Sequence, residues 1–120
     1  ELVKKTPKVI YDVGHNISAL SESLYFLENN SRVVFGTLEK KDQIDVLKSF
    51  PKDLKYYFCP VESNRGMSVT KLCKNAKTLN LNFSSHSSVD DALYNAIKES
   101  NDNDTILVTG STFLFTGLYA

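Results

Sequence analysis

Val9-Ile10-Tyr11-Asp12-Val13-Gly14-His15-Asn16-Ile17-Ser18-Ala19-Leu20-Ser21-Glu22-Ser23-Leu24-Tyr25-Phe26-Leu27 changes its pattern half-way along. Val9 to Val13 is a short, nearly continuous apolar run and reads as a strand. From Ile17 onward the apolar residues Ile17, Leu20, Leu24 and Leu27 fall on one helical face. Asn16 stands where a helix N-cap is wanted, because its side chain can accept from an otherwise orphaned backbone N–H. A strand that passes through a polar turn into an amphipathic helix is the repeating unit of an α/β fold.

The same alternation continues along the chain. Arg32 to Phe35, Lys55 to Cys59 and Thr105 to Thr109 read as further strands, with a weaker one over Leu81 to Phe83. Helical stripes are formed by Ile44, Leu47 and Phe50, by Val69, Leu72, Cys73 and Ala76, and by Val89, Ala92, Leu93, Ala96 and Ile97. Ser88 precedes Val89-Asp90-Asp91, whose acids suit a helix N-terminus. Asn101-Asp102-Asn103-Asp104 is a polar turn that stops the last long helix before the buried strand. Strands and helices taking turns predict a Rossmann-like, three-layer α/β domain with a mainly parallel, mixed sheet and helices on both faces.

The chain has 120 residues, 42% hydrophobic and 23% charged, with 14 basic and 14 acidic residues and no net charge. That suffices for one core without metal or disulfide staples. Neutral charge argues against non-specific binding to nucleic acid or to an anionic membrane, and no apolar run is long enough to span one. Cys59 and Cys73 form no C-x-x-C and have no partners to complete a zinc site. They read as buried free thiols, which suits a reducing, cytoplasmic setting. The triplets at Asn16, Asn29 and Asn82 would be glycosylation sites only in a secreted chain, and no signal peptide is present.

Ligands of open α/β sheets bind beyond the carboxyl ends of the strands. The segments in that position are Asp12 to Asn16, Gly36-Thr37-Leu38 leading to Lys41-Asp42, Pro60 to Arg65, and Thr109-Gly110-Ser111. Asp12 could accept hydrogen bonds from two neighbouring hydroxyls, as a ribose grip requires, or could cap the helix near Asn16. His15 beside a helix N-terminus is held neutral by the partial positive charge there, and could equally be structural. Lys41 and Asp42 read as a solvated pair or as site-lining residues. Arg65 could take a carboxylate bidentately or pin its loop to backbone carbonyls. Ser111 could cap a closing helix around Phe113 to Leu118. His86, within Ser84-Ser85-His86-Ser87-Ser88, reads as an exposed loop residue without a role, and Tyr56-Tyr57-Phe58 as strand core.

Tyr11-Asp12-Val13-Gly14-His15-Asn16 is similar to the D-G-A-H-N-P signature that opens the last domain of folylpolyglutamate synthases, a branch of the Mur ligase superfamily. Phe35 to Asp42 resembles that family's F-G-x-x-x-D-K-D element, Asn64-Arg65-Gly66 its R-A position and Val108-Thr109-Gly110-Ser111 its V-T-G-S element, in family order. Gly14 and Ile17 depart from the usual alanine and proline, and Glu39-Lys40 from the usual residues before Lys41-Asp42, while Asp12, His15 and Asn16 are retained. The resemblance implies that residues 1–120 are a single C-terminal domain, a fragment of a longer ATP-dependent ligase that joins L-glutamate to folate or dihydropteroate through an acyl phosphate. It implies ATP contacts from Asp12 and Asn16, and glutamate contacts from His15 and Ser111. ATP and Mg2+ would meet a phosphate loop and metal ligands upstream, because no G-x-x-x-x-G-K-[ST] occurs here. No residue is assigned as acid, base or nucleophile, and the isolated domain is expected to be inactive and monomeric. The rival readings are a Mur-type ligase of peptidoglycan precursors and a non-catalytic nucleotide-binding module.

Overall fold

The computed structural model describes residues 2–4, 7–13, 31–36, 47–61 and 69–110. They form strands β1 (Leu2–Lys4), β2 (Lys8–Val13), β3 (Arg32–Gly36), β4 (Lys55–Phe58), β5 (Asn82–Ser85) and β6 (Thr105–Gly110), with helices α1 (Val69–Thr78) and α2 (Val89–Glu99). The strands make one sheet in the order β1-β2-β6-β3-β4-β5. The five strands from β2 to β5 in that order are parallel, and β1 pairs antiparallel with β2 at one edge. The chain is thus an α/β domain with a mainly parallel, mixed sheet, as its sequence predicts.

Strands covered on both faces are apolar at successive positions, and β3, β4 and β6 show this plainly. Side chains of one strand then divide between two cores. Val33, Phe35, Tyr56, Phe58 and Leu107 point to one face, where Leu72 and Ala76 of α1 cover them together with Leu47, Phe50 and Leu54. Val9, Val34, Tyr57, Ile106 and Val108 point to the other, under Val89, Ala92 and Ala96 of α2. The alanines let each helix lie close to the sheet. On the α1 face, Phe50 meets Phe35 edge-on and stacks on Tyr56, both at 5.1 Å between centroids. Each such buried ring stabilises the fold by roughly 2–3 kcal/mol before entropy is counted.

Helix ends follow local chemistry. Ser88 caps α2, its hydroxyl accepting from the Asp91 N–H at 3.0 Å, with Asp90 and Asp91 in the positive first turn. Helix α1 stops in a Schellman turn: Asn80 takes a left-handed φ of 61°, and the Asn80 and Leu81 N–H groups donate to Lys77 and Ala76 carbonyls. The turn over residues 101–104 is present, but Asp104 is buried in it. Its carboxylate accepts from the Asn101 N–H at 2.8 Å and lies 3.8 Å from Arg32 Nε. Cys59 is fully buried, whereas Cys73 is only partly so, which corrects the reading of both as buried thiols. The helix expected over Ile17 to Leu27 lies outside the described residues, as does the start of the one around Leu47. The closing helix near Phe113 lies outside them as well.

Candidate functional site

Parallel register brings three carboxyl ends side by side at the middle of the sheet. Asp12 pairs with Thr109, and Thr109 with Phe35; one residue further on, Val13 pairs with Gly110, and Gly110 with Gly36. A buried polar side chain marks this row, since Thr109 is only 1% exposed. Gly110 has φ +119°, and a Cβ placed there would lie 1.9 Å from the Gly36 carbonyl oxygen. Only glycine allows β3 and β6 to approach this closely at the point where both strands end. On the far side of β3, the Cys59 N–H donates to the Phe35 carbonyl at 3.0 Å, and the Cys59 thiol to the same oxygen at 3.7 Å. Burial pushes that thiol up to about 12, so it is held as the neutral S–H.

Of the residues singled out in the sequence, Asp12 is therefore in β2, in register with the V-T-G strand end. His15, Asn16, Lys41, Asp42, Arg65 and Ser111 lie outside the described residues. The strand ends that their segments follow are all on the carboxyl edge, because β2, β3, β4 and β6 run in one direction.

Two polar clusters elsewhere were invisible in the sequence. His86 is not an exposed loop residue. Its ring stacks on Tyr57 at 5.6 Å and its side chain is 10% exposed. Its Nε2 lies 2.8 Å from Ser84 Oγ and its Nδ1 3.2 Å from Asp91 Oδ2. The segment Ser84-Ser85-His86-Ser87-Ser88 looks like loop composition, but Ser84 lies in β5 and Asp91 in the first turn of α2, and the imidazole ties them together. This cluster sits where β5 leads into α2, and β5 is three strands from β6 and so roughly 14 Å away across the sheet. The second cluster sits at the amino edge under the C-terminus of α2. Arg32 donates to the Tyr57 hydroxyl and to the Glu99 carbonyl, each at 3.0 Å, and the Tyr57 hydroxyl donates to the Glu99 carboxylate. A cation at a helix C-terminus complements the helix dipole. Burial, followed by the hydrogen bond to Glu99, holds the Tyr57 phenol well above its ordinary range.

Among the described residues no three His, Cys, Asp or Glu side chains converge as metal ligands, and no helix is long and apolar enough to cross a membrane. The Mur ligase glutamate ligase domain model matches residues 1–112, nearly the whole chain. The chain belongs to the Mur ligase glutamate ligase domain family. Within this family it is 34% identical over 119 residues to the dihydrofolate synthase/folylpolyglutamate synthase of Escherichia coli, covering 92% of this chain and 27% of the relative. The structure of E. coli FolC in complex with DHPP and ADP is similar at a TM-score of 0.72 and 32% identity, over 98% of this chain and 29% of FolC. The Yersinia pestis bifunctional folylpolyglutamate synthase/dihydrofolate synthase, complexed with AMPPNP and Mn ion, is similar at a TM-score of 0.76 and 25% identity, over 98% of this chain and 29% of that one. The chain thus spans less than a third of the length of these relatives.

Proposed function

We propose that this domain is the closing lobe of a ligase that uses ATP to phosphorylate a folate or dihydropteroate carboxylate and lets the amine of L-glutamate displace the phosphate. The observation that carries the reading is the convergence of the Asp12, Gly36 and Gly110 strand ends on one edge. An acyl phosphate must be kept from water, and a separate lobe that docks only when substrates are bound can exclude it. The lobe's work is binding and orientation, for which no acid or base on this chain is needed.

In this reading Asp12 accepts from the ribose hydroxyls of ATP, with Asn16 beside it. His15 and Ser111 hold the incoming glutamate, and Lys41, Asp42 and Arg65 line the approach. The glycine pair at Gly36 and Gly110 supports it, since it lets the ends of β3 and β6 lie directly side by side. The nucleotides named in the FolC and Y. pestis complexes support the ATP assignment. Magnesium would accompany the ATP phosphates and supply charge neutralisation there. The reading gives the phosphate loop and the metal ligands to a preceding domain.

The test is kinetic, in a full-length enzyme carrying this domain. Asp12→Ala should raise the KM for ATP, whereas His15→Ala and Ser111→Ala should raise the KM for glutamate about tenfold. That is the loss of roughly one hydrogen bond to a charged group. Unchanged glutamate parameters with a lowered Tm would make His15 and Ser111 structural caps.

A further inference from the structure

The neutral total conceals a strong separation of charge. From Ser63 to Val89 there is no carboxylate, while Lys71, Lys74 and Lys77 recur every third residue; from Asp90 to Asp104 there are five acids and one lysine, Lys98. The fold puts the helices of these segments on opposite faces of the sheet, α1 over the Phe35 core and α2 over the Val34 core. Lys71, Lys74 and Lys77 are all exposed, on the side of α1 away from Leu72 and Ala76. A helix face that merely needs solvation usually interleaves both signs. Here the helix has no acidic residue at all.

The direction of the ridge adds to its sign. Helix α1 follows the carboxyl end of β4 and precedes the amino end of β5, so it runs from the carboxyl edge back across the sheet. Lys71 is the end nearer the strand ends of the proposed site. Lys77 is about 9 Å further along the axis. We propose that this ridge binds the oligoglutamate tail of the folate substrate or product, leading it away from the carboxyl edge. The proposal rests on the glutamate-ligase reading. Each added glutamate joins its amine to one carboxyl of the preceding residue, so every interior residue keeps one carboxylate and the last keeps two, and a growing tail is a flexible row of negative charges. Three ammonium groups on flexible stems match it without demanding a fixed geometry.

The test uses this chain and γ-linked tetraglutamate carrying a fluorophore, titrated by anisotropy at about 20 mM and about 300 mM salt. Tetraglutamate should bind more tightly than labelled monoglutamate, and high salt should abolish the difference. The triple variant Lys71→Gln/Lys74→Gln/Lys77→Gln should bind about tenfold more weakly at low salt, since three exposed pairs are lost. The triple Lys→Arg variant, which keeps the charges, should bind as the parent does. Equal affinity of the Gln variant and the parent, equal affinity for one and four glutamates, or tighter binding of a short oligonucleotide would each overturn the proposal. Failure of the ligase reading itself would show separately, as loss of nucleotide binding at the carboxyl edge, which the lysine variants leave unchanged.

Discussion

Gly110→Ala should damage the domain more than any other single-methyl addition in the described sheet. The new Cβ would begin 1.9 Å from the Gly36 carbonyl oxygen, and real contacts of this kind do not fall below 3.0 Å. The obstacle is backbone, so β3 and β6 must part by about 1 Å in the middle of a close-packed sheet. A backbone held at φ +119° adds strain of about 1–3 kcal/mol for any side chain. Overpacking costs a similar 1–3 kcal/mol. A total near 3 kcal/mol corresponds to a urea midpoint lower by about 2 M and a Tm lower by roughly 10 °C for a domain of this size. Urea titration followed by far-UV circular dichroism measures it. A loss below about 0.5 kcal/mol, the range of an indifferent surface change, would refute the argument that the strand ends are pinned by glycine.

Three further outcomes follow from the geometry. Ser88→Ala should cost about 1 kcal/mol by removing the acceptor of the Asp91 N–H, and Ser88→Asp should restore most of it; equal stability of all three proteins would deny the cap. Because the folded Tyr57 phenol titrates above its ordinary value of 10.0, stability should be unaffected below pH 10 and should fall as the pH rises beyond it. Tyr57→Phe should lose about 1 kcal/mol at neutral pH and should show a smaller alkaline decline; an identical decline in both proteins would remove Tyr57 as its cause. Finally, a thiol reagent at pH 8 should modify half-buried Cys73 in the native protein and reach Cys59 only on unfolding, whereas equal rates would contradict the burial that raises Cys59.

Four of the five parallel strands were legible because each is a short apolar run bounded by polar residues, whereas β5 has Phe83 as its one apolar residue and gives only a weak signal, displaced to Leu81–Phe83; both described helices were legible because their stripes and the Ser88 cap are local features. Strand β1 was not singled out, since three residues carry no period and its pairing depends on β2. The Arg32 cluster was unreadable for a different reason: Arg32 and Glu99 are 67 positions apart and meet only through the strand order. His86 was misread because serine-rich composition suggests a loop, whereas its partners sit on two regular elements. The charge separation escaped a count of the whole chain, which averages over the two faces. For the candidate site, sequence adjacency to a strand end was enough to choose the segments. Which strand ends are neighbours required the β2-β6-β3 order.

In the proposed function, nucleotide and glutamate meet this domain at the carboxyl edge. Backbone amide NMR of the 120-residue chain, titrated with ADP and then with L-glutamate, tests that directly. Shifts are expected for Asp12, Gly36, Gly110 and the segments that follow them, with ADP and glutamate moving overlapping but distinct sets, and none around Arg32, Tyr57 and Glu99 at the amino edge. Shifts centred on that amino-edge cluster, or on Ser84, His86 and Asp91, with Asp12, Gly36 and Gly110 unmoved, would contradict it.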